Sequence, residues 1–122
     1  MKQYAHLYLA AALILSGCGD EHVIHPVSAS GDAERGRIAL TQYACHACHI
    51  IPGITGSRVY VGPPLAGLAK RPDIVGQLPN TSDNLLRWIR DPHSIDPHTA
   101  MPDLGVSEQH ARDMVAFLNT LK

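Results

Sequence analysis

The densest chemistry in the chain is the run Cys45-His46-Ala47-Cys48-His49, in which two thiols stand two residues apart and each is followed by an imidazole. A thiolate is a nucleophile and a soft metal ligand, and a neutral imidazole offers one nitrogen lone pair and one N–H. Two cysteines at this spacing suit a disulfide or redox pair, a zinc site, or covalent attachment to a larger group. A redox pair of the thioredoxin kind needs a strand-helix-strand setting. Structural zinc needs four ligands, and here Cys45, Cys48 and one histidine leave a gap that only a distant residue can fill.

The elements that must position this run can be read from apolar spacing and capping residues. The chain has 122 residues, the length of one small domain plus its termini. Asp32 caps a helix whose Gly36, Ala39, Leu40 and Tyr43 recur at steps of three and four, and that helix delivers the cysteines. A loop rich in Gly and Pro follows over residues 50–65, then a segment over 65–69 sized for one or two helical turns. Thr81 or Ser82 caps a second helix carrying Leu85, Leu86, Trp88 and Ile89, which Asp91-Pro92 stops. A proline-punctuated loop over 93–104 leads to a third helix, opened by Ser107, with the stripe Ala111, Met114, Val115, Leu118 and Leu121. No alternating strand pattern and no internal repeat is present, so the expected fold is all-α with long loops. One Phe, four Tyr and one Trp against ten Gly and nine Pro make a thin core, which favours a metal or a large cofactor as a staple.

The N-terminus indicates a compartment. Lys2 precedes an unbroken apolar run over residues 7–15, too short to span a bilayer as a mature helix, and the pattern reads as a secretory signal. Leu15-Ser16-Gly17-Cys18 then resembles a bacterial lipobox, in which the chain is cut before Cys18 and that thiol carries a diacylglycerol; the blander alternative is an ordinary cleaved signal. Residues 1–17 are thus expected to be a lipoprotein signal peptide, 18–30 a flexible tether and 31–122 the folded domain. His22 and His25 read as solvated side chains of the tether. Both readings place the mature domain outside the cytoplasm; anchored through Cys18, it is expected in the bacterial cell envelope on the periplasmic or outer face of a membrane. Ten Lys+Arg against eleven Asp+Glu, with no basic run longer than Lys70-Arg71, leave no electrostatic footprint for nucleic acid.

In that compartment Cys-x-x-Cys-His is the attachment signature of c-type haem, and the thin core agrees with it. Two thioethers fix one porphyrin edge, and the residue directly after the second cysteine projects over the ring to the iron. That residue is His49. His46, between the anchors, is expected to point away from the iron toward solvent.

Over residues 31–122 the chain resembles the class I cytochromes c, particularly small bacterial monohaem forms with a lipoprotein signal. The resemblance implies the cytochrome c fold, three to five helices with long loops wrapped around one haem. Gly62-Pro63-Pro64-Leu65-Ala66-Gly67-Leu68 is similar to the family segment whose first proline carbonyl accepts the proximal imidazole proton, which makes Pro63 the orienting partner of His49. The family also implies propionate contacts for Arg71 and for Asn80-Thr81, and a place beside the distal ligand for Trp88. Pro97-His98-Thr99-Ala100-Met101-Pro102 matches the family's distal methionine segment, so Met101 is expected to be the sixth ligand. Met114 reads as core; His93 and His98 are the rivals within the Met101 loop. Gly36 is expected where the first helix crosses the last near Phe117, since a residue without Cβ permits the closest approach.

A haem c with both axial places filled implies a one-electron carrier, not an enzyme, with no small-molecule substrate. Its expected partners are membrane-bound respiratory donor and acceptor complexes, and it meets the membrane through the lipid anchor. The alternative is a fixed electron-entry subunit of a larger oxidase, reductase or dehydrogenase. A di-haem peroxidase would need a second Cys-x-x-Cys-His, and a gas sensor a weak or missing distal ligand.

Because the helices are short and aromatics few, a Cys45→Ala, Cys48→Ala variant made without haem should be largely unfolded. Circular dichroism tests this, and a cooperative, native-like thermal transition would refute it.

Overall fold

The computed structural model describes residues 30–56 and 61–122. The expected signal peptide, Cys18 and nearly all of the tether lie outside the described residues. The described residues form three α-helices: α1 (Ala33–Gln42), α2 (Ser82–Arg90) and α3 (Glu108–Leu118). Single 3-10 turns occur at Cys45–Ala47, Leu68–Lys70 and Pro92–Ser94. Among the described residues no helix is long and apolar enough to cross a membrane.

Each helix starts where a side-chain oxygen captures an otherwise unpaired amide. Asp32 accepts from the Arg35 amide at 2.8 Å, Thr81 from the Asn84 amide at 3.2 Å, and Ser107 from the His110 amide at 3.2 Å. At the far end of α2 the expected stop holds, with Asp91 at the C-cap and Pro92 after it. Where residues 65–69 left room for one or two helical turns, one 3-10 turn forms, Leu68–Lys70. Beyond α3 the apolar stripe runs on to Leu121, which is buried and accepts the Ala69 amide at 3.0 Å.

A short two-stranded ladder departs from the strandless expectation. β1 (Asp73–Ile74) pairs antiparallel with β2 (Leu78–Pro79), Ile74 opposite Leu78. Two residues cannot display a period of two, so no pattern announced it. The turn between them places Val75 at φ 54° and Gly76 at φ 80°, both left-handed; for a β-branched valine that conformation is strained.

The main packing contact is α1 against α3. A Cβ on Gly36 would lie 1.9 Å from the Asp113 carbonyl oxygen and 2.9 Å from the Met114 nitrogen, so the two backbones touch. The crossing therefore falls at Asp113 and Met114, a turn before the expected Phe117, whose ring lies by Gly53 instead. The reason is Asp113, whose side chain is only 1 % exposed. Its carboxylate accepts the Asp32 amide at 2.7 Å, Arg35 Nε and Nη2 at 2.9 and 3.0 Å, and Gln109 Nε2 at 3.1 Å. These bonds tie the start of α1 to the middle of α3.

Burial alone would push the Asp113 carboxyl up. The bonds from Arg35, the Asp32 amide and Gln109, with the Arg35 charge, outweigh burial and hold it below the usual carboxylate value. A carboxyl depressed in the folded state stabilises above its unfolded pKa of about 3.9, and that stability is lost as pH falls through the lower folded value. Arg35→Met should destabilise the haem-loaded protein at pH 7, because it leaves the buried Asp113 carboxylate without its cationic partner. In denaturant titrations the gap between wild type and Asp113→Asn should be widest at neutral pH and close below about pH 4. A gap that persists unchanged at pH 3 would contradict the ion pair's role.

Candidate functional site

After α1, Ala44 adopts a left-handed conformation with φ 53°, and the chain turns directly into Cys45–Ala47. The His49 amide returns to the Cys45 carbonyl at 3.0 Å and the Cys48 amide to the same oxygen at 3.3 Å. This winding brings Cys45, Cys48 and His49 to one wall of a cavity of about 520 Å³, within the usual range for small-molecule and cofactor sites. Both thiols are free, and burial pushes the Cys45 thiol up.

Residues 62–65 run beside residues 48–50, laced by the Gly62 amide to the Cys48 carbonyl and the Leu65 amide to the Ile50 carbonyl, each at 2.9 Å. That pairing sets Pro63 against the imidazole: His49 Nδ1 lies 2.8 Å from the Pro63 carbonyl oxygen. A carbonyl can only accept, so in the neutral ring Nδ1 carries the hydrogen and Nε2 keeps the lone pair. Gly62 is a contact that spacing alone did not single out. A Cβ there would stand 2.4 Å from His49 Cε1, so the ring packs on bare backbone.

His46 is absent from the cavity wall, as its place between the cysteines implied, but it does not simply face solvent. It packs beside Gly56, where a Cβ would meet its own Cβ at 2.6 Å, and its Nδ1 is buried without a hydrogen-bond partner. The short turn folds it under the following loop.

On the other walls stand Trp88 from α2, Met101 from the loop after Pro92–Ser94, and Met114 from α3. Met114 is fully buried in the helix crossing, whereas Met101 is half-buried in irregular chain. His93 and His98 are exposed and stand outside the wall. Arg71 lines the cavity while its Nη2 donates to the Pro64 and Ala66 carbonyls. Asn80, expected near a propionate, has its side chain engaged with backbone. It is not on the wall, and its amide nitrogen donates to the Leu68 and Arg71 carbonyls at 2.8 and 2.9 Å. Both of its hydrogens serve the 3-10 turn, and its neighbour Thr81 caps α2.

Among the described residues, the wall carries no charged side chain apart from Arg71 and Asp73. Among the described residues, no three His, Cys, Asp or Glu groups gather to hold a bare metal ion. The donor set instead fits a flat, apolar, metal-bearing group: two thiols for attachment, one oriented imidazole and two thioethers around a chamber of matching size. Much of the hydrophobic core, including Leu40, Leu68, Leu85, Ile89 and Leu118, forms its lining.

Comparison with known proteins agrees with this geometry. The family described as Cytochrome c matches residues 33–122. The cytochrome c oxidase subunit 2 of Alkalihalophilus pseudofirmus (strain ATCC BAA-2126 / JCM 17055 / OF4) is 35 % identical over 91 residues, covering 74 % of this chain and 26 % of that protein. The cytochrome c oxidase subunit 2 of Bacillus sp. (strain PS3) is 27 % identical over 104 residues, 82 % of this chain and 28 % of that protein. The chain therefore spans little more than a quarter of the length of these relatives. With α1 through α3 and the whole cavity wall inside the matched residues, this chain belongs to the cytochrome c family.

Proposed function

We propose that the chain is a one-electron carrier holding a single haem c through thioethers from Cys45 and Cys48, with His49 and Met101 as axial ligands. The observation that carries this reading is the 2.8 Å bond from His49 Nδ1 to the Pro63 carbonyl, which leaves Nε2 unprotonated in a wall that also carries both thiols and Met101. Haem iron, when bound, supplies the one-electron couple. Pro63 fixes the tautomer and makes His49 a stronger donor. Met101 contributes a soft thioether that favours ferrous iron and raises the potential relative to a second imidazole. The apolar lining would keep water from a bound haem, and His49 and Met101 would both hold its iron, which suits electron transfer rather than substrate binding. Arg71 and Trp88 act from the wall, Arg71 by shaping residues 64–66 and Trp88 by packing from α2.

The oxidase relatives favour a second form of the same chemistry, an electron-entry domain held on a membrane respiratory complex. In either form the partners are membrane-bound donors and acceptors on the outer side of a bacterial membrane. Supporting that location are the signal pattern of residues 1–17 and Cys18 as the lipid-bearing residue. Stable anchoring takes two lipid signals, and a diacylated Cys18 meets that need. The tether over residues 18–30 reaches at most about 40 Å at full extension and about 20 Å as a flexible coil. Copurification from solubilised membranes distinguishes a shuttle from a bound subunit.

Substitution of the ligands tests the site. His49→Ala should abolish the low-spin spectrum while His46→Ala leaves it nearly intact. Met101→Ala should remove the weak far-red sulfur-to-iron band, lower the potential and admit carbon monoxide, whereas Met114→Ala should keep the band. Equal damage from both histidine variants, or loss of the band only in Met114→Ala, would overturn the ligand assignment.

The anchor has its own test. Cys18→Ser should release a soluble domain with an unchanged haem spectrum and slower electron delivery to membrane enzymes at equal total concentration, because confinement raises effective concentration. Wild-type protein found soluble outside the cytoplasm with an unlipidated N-terminus would remove the tether from the proposal.

A further inference from the structure

From Ala100 to Val106, among the described residues, the chain makes no backbone-to-backbone hydrogen bond. Its course is set by side chains instead. The Met101 amide donates to Thr99 Oγ1 at 3.2 Å, the Gly105 amide to Asp103 Oδ1 at 2.9 Å, and Arg90 Nε to the Val106 carbonyl at 3.4 Å. Just upstream, Asp96 closes a tight turn, its carbonyl accepting the Thr99 amide at 3.1 Å and its carboxylate the His98 amide at 3.0 Å. Thr99 thus joins an ordered turn on one side to Met101 on the other. Thr99 and Met101 are both half-buried, and both line the cavity.

We infer that Thr99 is a positioning residue for Met101: by accepting the Met101 amide, its hydroxyl oxygen fixes the backbone from which the thioether serves the cavity. The inference rests on Met101 being the distal ligand. Three features support it. Branching at Cβ restricts χ1 of threonine, so Oγ1 is held in place. Pro97 and Pro102, on either side, have no amide hydrogen and add no donor to stabilise the loop. The Asp103 turn acts two residues further on and leaves the Met101 amide untouched. Without the Thr99 oxygen, that amide has no acceptor in a half-buried setting, a condition that disfavours the closed loop.

The test titrates the haem-loaded protein with imidazole, which competes with Met101 for the iron. A contact made only in the closed loop weakens the competitor, so removing it should tighten imidazole binding by the same factor. Thr99→Val keeps the shape without the acceptor and should bind imidazole about fivefold more tightly, the factor expected for one net hydrogen bond. Thr99→Ala, also without the acceptor, should shift in the same direction, so a Thr99→Val variant that fails to load haem does not end the test. Thr99→Ser restores the oxygen without the branching and should bring the affinity back toward the wild-type value. Wild-type affinity in both acceptor-free variants, or no rescue by serine, would overturn the role of Thr99. Met101→Ala separates the two readings. If it removes the sulfur-to-iron band while the Thr99 variants titrate as wild type, the ligand stands and the positioning role falls. If it leaves band and affinity unchanged, Met101 is not the ligand and Thr99 falls with it.

Discussion

Two helices meet at Gly36 with no side chain between their backbones, and the height of that meeting decides the rest of the molecule. Asp113 sets the height. Its buried carboxylate gathers the first amide ahead of α1, the Arg35 fork and Gln109, so α1 cannot slide along α3 without stranding a charge. Once α1 is seated, its last residue and the left-handed Ala44 aim Cys45, Cys48 and His49 at the chamber that α3 helps to wall with Met114 and Leu118.

The same residues serve as core and as cavity lining, which is unusual for a domain with a separate pocket but natural for one built around a large prosthetic group. Leu40, Ile74, Leu85, Ile89 and Leu118 are buried from solvent and also line the chamber. A group held in that chamber would therefore stabilise the fold as well as bind to it.

Local rules were readable in the sequence, and long-range ones were not. Asp32, Thr81 and Ser107 announce helix starts because a cap needs only an oxygen within three residues of an amide. The turn after Cys45 makes His49 and His46 distinguishable by spacing, and the wall carries the first and not the second. Asp113 was missed because an acid inside a helical stripe reads as solvent-facing, while its partner Arg35 lies far away in sequence. The backbone partners of Asn80 were hidden for a related reason. An amide that satisfies the carbonyls of a 3-10 turn looks, in sequence, like one free to meet a ligand. The ladder of Asp73–Ile74 with Leu78–Pro79 is too short to leave a pattern at all.

The seam at the start of α1 also has a mechanical meaning. A pull along the segment ahead of the domain reaches the seam at Gly31 and Asp32. There, Gly31 packs on the Arg112 carbonyl with no room for a Cβ, and the Asp32 amide is held by Asp113. Load therefore passes sideways into α3, in shear across several bonds together, before it can travel along α1. The turn carrying Cys45 and His49 lies behind that clamp, so tension on the leading segment is relieved upstream of the cavity wall.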